Sequence, residues 1–125
     1  MIDFNSNSIF KLKPIDNNEG RSSVNELLID GEQIVAAFKG SRDSVIFTSI
    51  RIIAVNVQGM TGKKIDYSSL PYSRIQAFSI ETAGSFDRDA ELELWFSGLG
   101  KVKLEFAGQI DIKTLGNFIS TKVFA

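Results

Sequence analysis

Asp87, Asp89, Glu91 and Glu93 fall at every second position, so on an extended strand all four carboxylates share one face. Oxygen ligands of this kind suit hard cations such as Ca²⁺ or Mg²⁺, and a carboxylate pair is what glycoside hydrolysis requires. Residues two apart on a strand are separated by roughly 7 Å, too far for one ion unless other loops bend in. The pattern therefore reads as an acidic solvent face partly opposed by Lys101 and Lys103. A second set of charges, Lys39, Arg42, Lys63 and Lys64, forms a candidate anion patch, because the last two follow Gly59-Met60-Thr61-Gly62 and successive backbone N–H groups with a lysine can hold a phosphate. A P-loop needs four residues between its glycines and then a helix. Here two residues intervene and strand-like sequence follows, so a hairpin turn with solvated lysines is expected, with Arg42 free to pair with Asp43 or Glu32.

The 125 residues contain no cysteine and no histidine, which excludes disulfides, thiolate zinc sites, thiol nucleophiles and every triad or base built on imidazole. No catalytic residue, cofactor or metal is expected. Fourteen basic and 15 acidic side chains leave a formal charge of -1, so no bulk attraction to nucleic acid or anionic lipid exists and a polyanion needs a local patch. With 43% hydrophobic residues the chain is long enough for one core. It shows no basic and apolar leader at its start and no apolar run of the roughly 18 residues a membrane helix needs. A cytoplasmic location is expected.

These charges must be positioned mostly by strands. Ser44-Val45-Ile46-Phe47 and Arg51-Ile52-Ile53-Ala54-Val55 form the arms of a hairpin over 43–57 that reverses at Thr48-Ser49. Its second arm is apolar on both faces, whereas a strand with one wet face alternates with polar residues, so something must cover each face. Strands are also expected over 32–39, 63–67, 74–81, 91–96 and 101–106. Ile75 is out of phase with Phe78 and Ile80, which places a bulge near Gln76 or Ala77. Leu92, Leu94 and Phe96 must pair on one face with Val102, Leu104 and Phe106, and this parity demands an odd loop. Either Ser97 to Leu99 or Gly98 to Gly100 satisfies it, the first placing Glu93 opposite Lys103. A short amphipathic helix is expected over 18–28 and a longer one over 112–123. The latter has Asp111 as N-cap, an Ile110–Leu115 staple, and Gly116 explained by close packing on the sheet. Residues 1–18 carry no assignable pattern.

Seven antiparallel strands closed by one helix describe a small, strongly bent sheet. Leu28-Ile29-Asp30-Gly31-Glu32, Arg42-Asp43, Phe47 to Ile53, Gly59 to Lys64, Leu70-Pro71-Tyr72 and Glu81 to Asp87 resemble, in order and spacing, the bacterial PH-like domain family over about residues 24–125. The resemblance implies a mainly β (α+β) protein. Its fold would be a PH-like barrel of seven antiparallel strands, capped by a C-terminal α-helix and preceded by an N-terminal helical segment. Residues 1–30 would form the arm and short helix, and 31–125 the barrel, within a single domain. The family implies no established enzymatic activity, no agreed ligand residues and a tendency to homo-oligomeric rings.

The expected function is accordingly a non-catalytic assembly module whose partner is itself, or another protein, and not nucleic acid. Candidate interface residues are Ile53 and Val55, from the two-sided strand, and Trp95, which shares a face with Glu91 and Glu93. Trp95 lies either at an interface or beneath the N-terminal helix. The alternative is a membrane-surface or anionic-ligand module using Lys39, Arg42, Lys63 and Lys64. Two or three cations near the first turn make a weak headgroup site, so membrane lipid is the less favoured partner. A metal-dependent hydrolase using the acidic strand is a remote third.

Overall fold

The computed structural model describes residues 1, 4, 9–86, 88–108 and 110–125. Asp87, one of the four alternating carboxylates, lies outside the described residues. The strands are β1 (Ile9–Pro14), β2 (Ile34–Lys39), β3 (Asp43–Thr48), β4 (Arg51–Gln58), β5 (Lys64–Pro71), β6 (Ile75–Glu81), β7 (Ala90–Phe96) and β8 (Gly100–Phe106). They form one eight-stranded sheet in the order β5-β4-β3-β2-β1-β8-β7-β6, with β5 and β6 as free edges. Two expectations are corrected here: among the described residues the strands number eight, not seven, and the sheet is not closed.

The additional strand is β1, drawn from the arm without a pattern. It runs antiparallel to β2 (Lys13↔Lys39, Pro14↔Phe38) and parallel to β8 (Ile9↔Leu104, Leu12↔Phe106). Ile9 and Leu12 are three apart, so a regular strand would send them to opposite faces. Both are nevertheless buried in the main core, because the register shifts between them and Lys11 adopts φ 57°. That left-handed residue resets the alternation and conceals the strand in the sequence.

Both faces of β4 are covered from within the chain. Ile52 and Ala54 point into the main core with Phe47, Leu92, Leu104 and Phe106. Ile53 and Val55 point outward and join Ala37, Ile46 and Val24 in a second cluster. Val24 belongs to α1 (Asn17–Val24), which lies across β2 with Gly20 against Ala37, where a Cβ on Gly20 would come within 2.4 Å of the alanine methyl. The helix is shorter than 18–28: a 3-10 turn occupies Asn25–Leu27 and Leu28 is extended.

At the other end of the chain, α2 (Ile112–Val123) buries Ile112, Leu115, Gly116 and Ile119. Asp111 caps it, accepting from the Thr114 N–H at 3.1 Å and the Thr114 hydroxyl at 2.7 Å. A Cβ on Gly116 would meet Ile80 at 3.2 Å, so the glycine lets the helix sit close on β6. The bulge of β6 falls at Gln76, between Ile75↔Phe96 and Ala77↔Trp95. The β7–β8 loop is Ser97 to Leu99, with Phe96 opposite Gly100 and Glu93 opposite Lys103.

Candidate functional site

The β2–β3 and β4–β5 turns lie at one end of the sheet, and the four candidate cations lie in or beside them. The Arg42 guanidinium donates to the Gly59 carbonyl, and Val57 N–H donates to the Arg42 carbonyl at 3.0 Å, which joins the two turns. Lys39 ends β2 beside them and Lys64 opens β5 opposite Gln58. Sequence reasoning missed Lys13, which the β1–β2 register places directly across from Lys39. Like charges in cross-strand register repel, and neither lysine, nor Lys63 or Lys64, has an ion-pair partner among the described residues. The nearby acids are engaged elsewhere: Asp43 accepts from the Asn56 amide, and Asp66 takes the N-terminal ammonium at 2.9 Å. Met60, at the tip of the β4–β5 loop, is fully exposed. The surface is a cationic rim.

Arg42 pairs with neither Asp43 nor Glu32. Glu32 belongs instead to Arg51, in a buried network that the sequence did not reveal. The Glu32 side chain is fully buried, with Oε2 at 2.9 Å from Arg51 Nε and Oε1 at 2.9 Å from Arg51 Nη2. Oε2 also accepts from the Thr48 hydroxyl at 2.6 Å, and Oε1 from Ile29 N–H at 3.1 Å. Burial works to raise the carboxyl, but the bonds from Arg51, Thr48 and Ile29 and the charge of Arg51 outweigh it and hold Glu32 below the usual glutamate range. Arg51 goes on to donate to the Leu27 carbonyl at 2.7 Å and the Ser69 hydroxyl at 3.1 Å. Tyr72 donates to the Thr48 carbonyl at 2.8 Å, and burial, with the Glu32 charge, pushes its phenol well above its ordinary range. Four donors occupy the Glu32 carboxylate, so it has no free lone pair with which to act as a base. The network is a clasp tying the 3-10 turn and the segment before β2 to the end of β3, to β4 and to β5.

The acidic strand face is neutralised by lysines. Lys103 Nζ lies 3.5 Å from Glu91 and 3.3 Å from Glu105, and Lys101 Nζ lies 3.8 Å from Glu93. The register pairs Glu93 with Lys103, so the Lys103–Glu91 and Lys101–Glu93 pairs run diagonally across the ladder, while Lys103–Glu105 lies along β8. Among the described residues no three carboxylates converge on one point.

Of the candidate interface residues, Trp95 is 45% exposed on the outer face of β7 between Ala77 and Lys101, with Lys101 Nζ 5.5 Å from its ring. It is not beneath α1, which packs over β2. Ile53 and Val55 are the reverse case, buried under α1 at 0% and 6% exposure. Another subunit could touch them only by displacing that helix, so the apolar second face of β4 is a fold contact.

No helix among the described residues is long and apolar enough to cross a membrane. The profile of the bacterial PH domain family matches residues 3–123. The chain is 53% identical to the uncharacterized protein YjqA of Bacillus subtilis over 72 residues, a match spanning 58% of each chain. It resembles the crystal structure of a DUF1696 family protein with a pleckstrin-homology domain from Shewanella loihica PV-4. That match has a TM-score of 0.77 at 35% identity and covers 90% of this chain and 97% of the other. A pleckstrin homology domain from Shewanella amazonensis SB2B matches with a TM-score of 0.67 at 38% identity, covering 88% of this chain and 100% of the other. A bent sheet with its capping helix, matched in sequence almost end to end, identifies this chain as a member of the bacterial PH domain family.

Proposed function

We propose that this domain is a non-catalytic assembly module whose copies associate through apolar surface on the outside of the sheet, closing head to tail into a ring. The observation that carries this reading is Trp95, a large half-exposed ring on a sheet face that no described helix covers. Aromatic residues are enriched in protein interfaces, and this ring is flanked by the small Ala77 and by charges already paired along the strands. The filled valences of Glu32 and the pairing of Glu91 and Glu93 with lysines weigh against acid–base work by these carboxylates. Light scattering after gel filtration, at two protein concentrations, tests the reading against a chain mass of 13.8 kDa. A discrete multimer is expected at both. Trp95→Asp should lower the mass toward the monomer with an unchanged circular dichroism spectrum; a multimer that survives the change removes Trp95 from the interface.

A second reading is favoured by one observation, the Lys13–Lys39 register beside Arg42, Lys63 and Lys64. Unneutralised cations around the exposed Met60 fit an anionic surface, with the methionine entering its apolar layer. Cosedimentation with vesicles with and without anionic lipid checks it. Binding that requires the anionic lipid and weakens in salt is expected, and a Lys63→Glu/Lys64→Glu variant should lose most of it. Equal behaviour with both vesicle types rules the reading out.

A further inference from the structure

β1 pairs with β2 at Lys13 and Pro14 and then leaves the sheet for α1, so the first half of β2 has no strand neighbour on that side. Between it and α2 lies an apolar cleft of about 400 Å³ lined by Pro14, Val35, Phe38, Ile110, Leu115 and Phe118, with the Asp111 carboxylate among its few polar groups. A cavity of about 150 Å³ is enough for a benzene ring, so the cleft has room for an aromatic side chain. One such side chain stands exposed on the chain. Phe86, in the connection between β6 and β7, is fully exposed. Arg88, two residues on, is exposed and has no ion-pair partner among the described residues.

The geometry points to Phe86 of one copy seating in the β2–α2 cleft of the next, with Arg88 meeting the Asp111 carboxylate. This inference rests on the assembly reading and names its contact. Charge complementarity selects the occupant: the cleft is apolar with an acid among its lining, and the knob is aromatic with a base beside it. Asp111 keeps acceptor capacity while capping α2, since an ionised carboxylate offers about four lone-pair sites and the bonds from Thr114 use two. Knob and cleft are different patches of one surface, so each copy offers one of each. Repeated head to tail the contact is heterologous, which is the arrangement that generates rings.

The absence of native cysteine makes the test direct. Phe86→Glu should convert the multimer to monomer with an unchanged circular dichroism spectrum, because the side chain is fully exposed in its own chain. In parallel, Phe86→Cys and Val35→Cys variants are oxidised separately and as a mixture. The mixture should give a disulfide-linked heterodimer on a non-reducing gel, several-fold above the homodimer of either variant alone. If wild type is multimeric while Phe86→Glu keeps its mass, or the mixture shows no excess heterodimer, this contact is overturned and the assembly reading stands on Trp95. A monomeric wild type overturns both.

Discussion

Arg51→Ala should destabilise the domain by about 3–5 kcal/mol, the cost of leaving one member of a buried ion pair without its partner. That is a large share of the roughly 5–15 kcal/mol by which a domain of this size is stable. The effect is expected to be large because Glu32 has a fully buried side chain that takes two bonds from this guanidinium. Removing Arg51 also orphans the Leu27 carbonyl, loosening the turn that leads from α1 into β2. Urea denaturation at pH 7 measures the loss. A change below about 1 kcal/mol would mean that solvent or another cation replaces the guanidinium.

The pH dependence follows from the direction of the Glu32 shift. Its carboxyl is held below its ordinary value of 4.5, so its contribution is fully present above that pH and is lost as the pH falls through the depressed native value. In the Arg51→Ala protein the guanidinium's bonds and charge are gone and only the bonds from Thr48 and Ile29 still oppose burial, so the carboxyl sits higher than in wild type and the variant loses less on its protonation. The gap between wild type and variant should therefore narrow steadily as the pH falls below 4.5, and a gap that widened would contradict the ion-pair account. Replacing both residues, as Glu32→Met/Arg51→Met, should recover much of the stability lost in Arg51→Ala, because apolar side chains need no compensating charge.

Leu12→Ala should cost about 2–5 kcal/mol, the range for emptying a buried leucine site. Leu12 is completely buried and Ile9 nearly so, although both come from an arm with isolated apolar residues and no period. Their strand is the one link between the β2–β5 and β6–β8 halves of the sheet. The leucine faces Phe106 across the parallel pairing, and Phe106 stacks edge-on against Phe38 of β2 with ring centres 4.8 Å apart. A cavity here loosens the seam itself, so amide exchange should accelerate first in β1 and in β2 and β8 beside it, before β3 to β5. Uniform acceleration throughout the sheet would show that β1 unfolds only with the whole.

Local chemistry made much of this fold legible in the sequence. The period-2 alternation of 91–96 and 101–106, with parity across the turn, led to an odd loop with two candidate positions, of which the structure has Ser97 to Leu99 with its Glu93–Lys103 register. The phase break at Ile75 located the bulge, and Asp111 with Gly116 marked how α2 starts and where it touches the sheet. The absence of cysteine and histidine narrowed the chemistry before any coordinate was known. Each of these signals acts within a few residues, which is the range over which backbone geometry and side-chain type are directly coupled. The four cations of the anion patch were found by type, but Lys13 was not, since its place beside Lys39 exists only once β1 inserts. β1 was hidden because a left-handed residue at Lys11 resets the face to which side chains point. The apolar outer face of β4 correctly demanded a cover, yet sequence could not say whether that cover was α1 or another subunit, because burial is the same to Ile53 and Val55 in either case. Glu32 and Arg51 are 19 positions apart, with Arg42 a nearer candidate. Which guanidinium met the carboxylate was decided by the β2–β3 and β3–β4 registers, a property of the assembled sheet rather than of any segment.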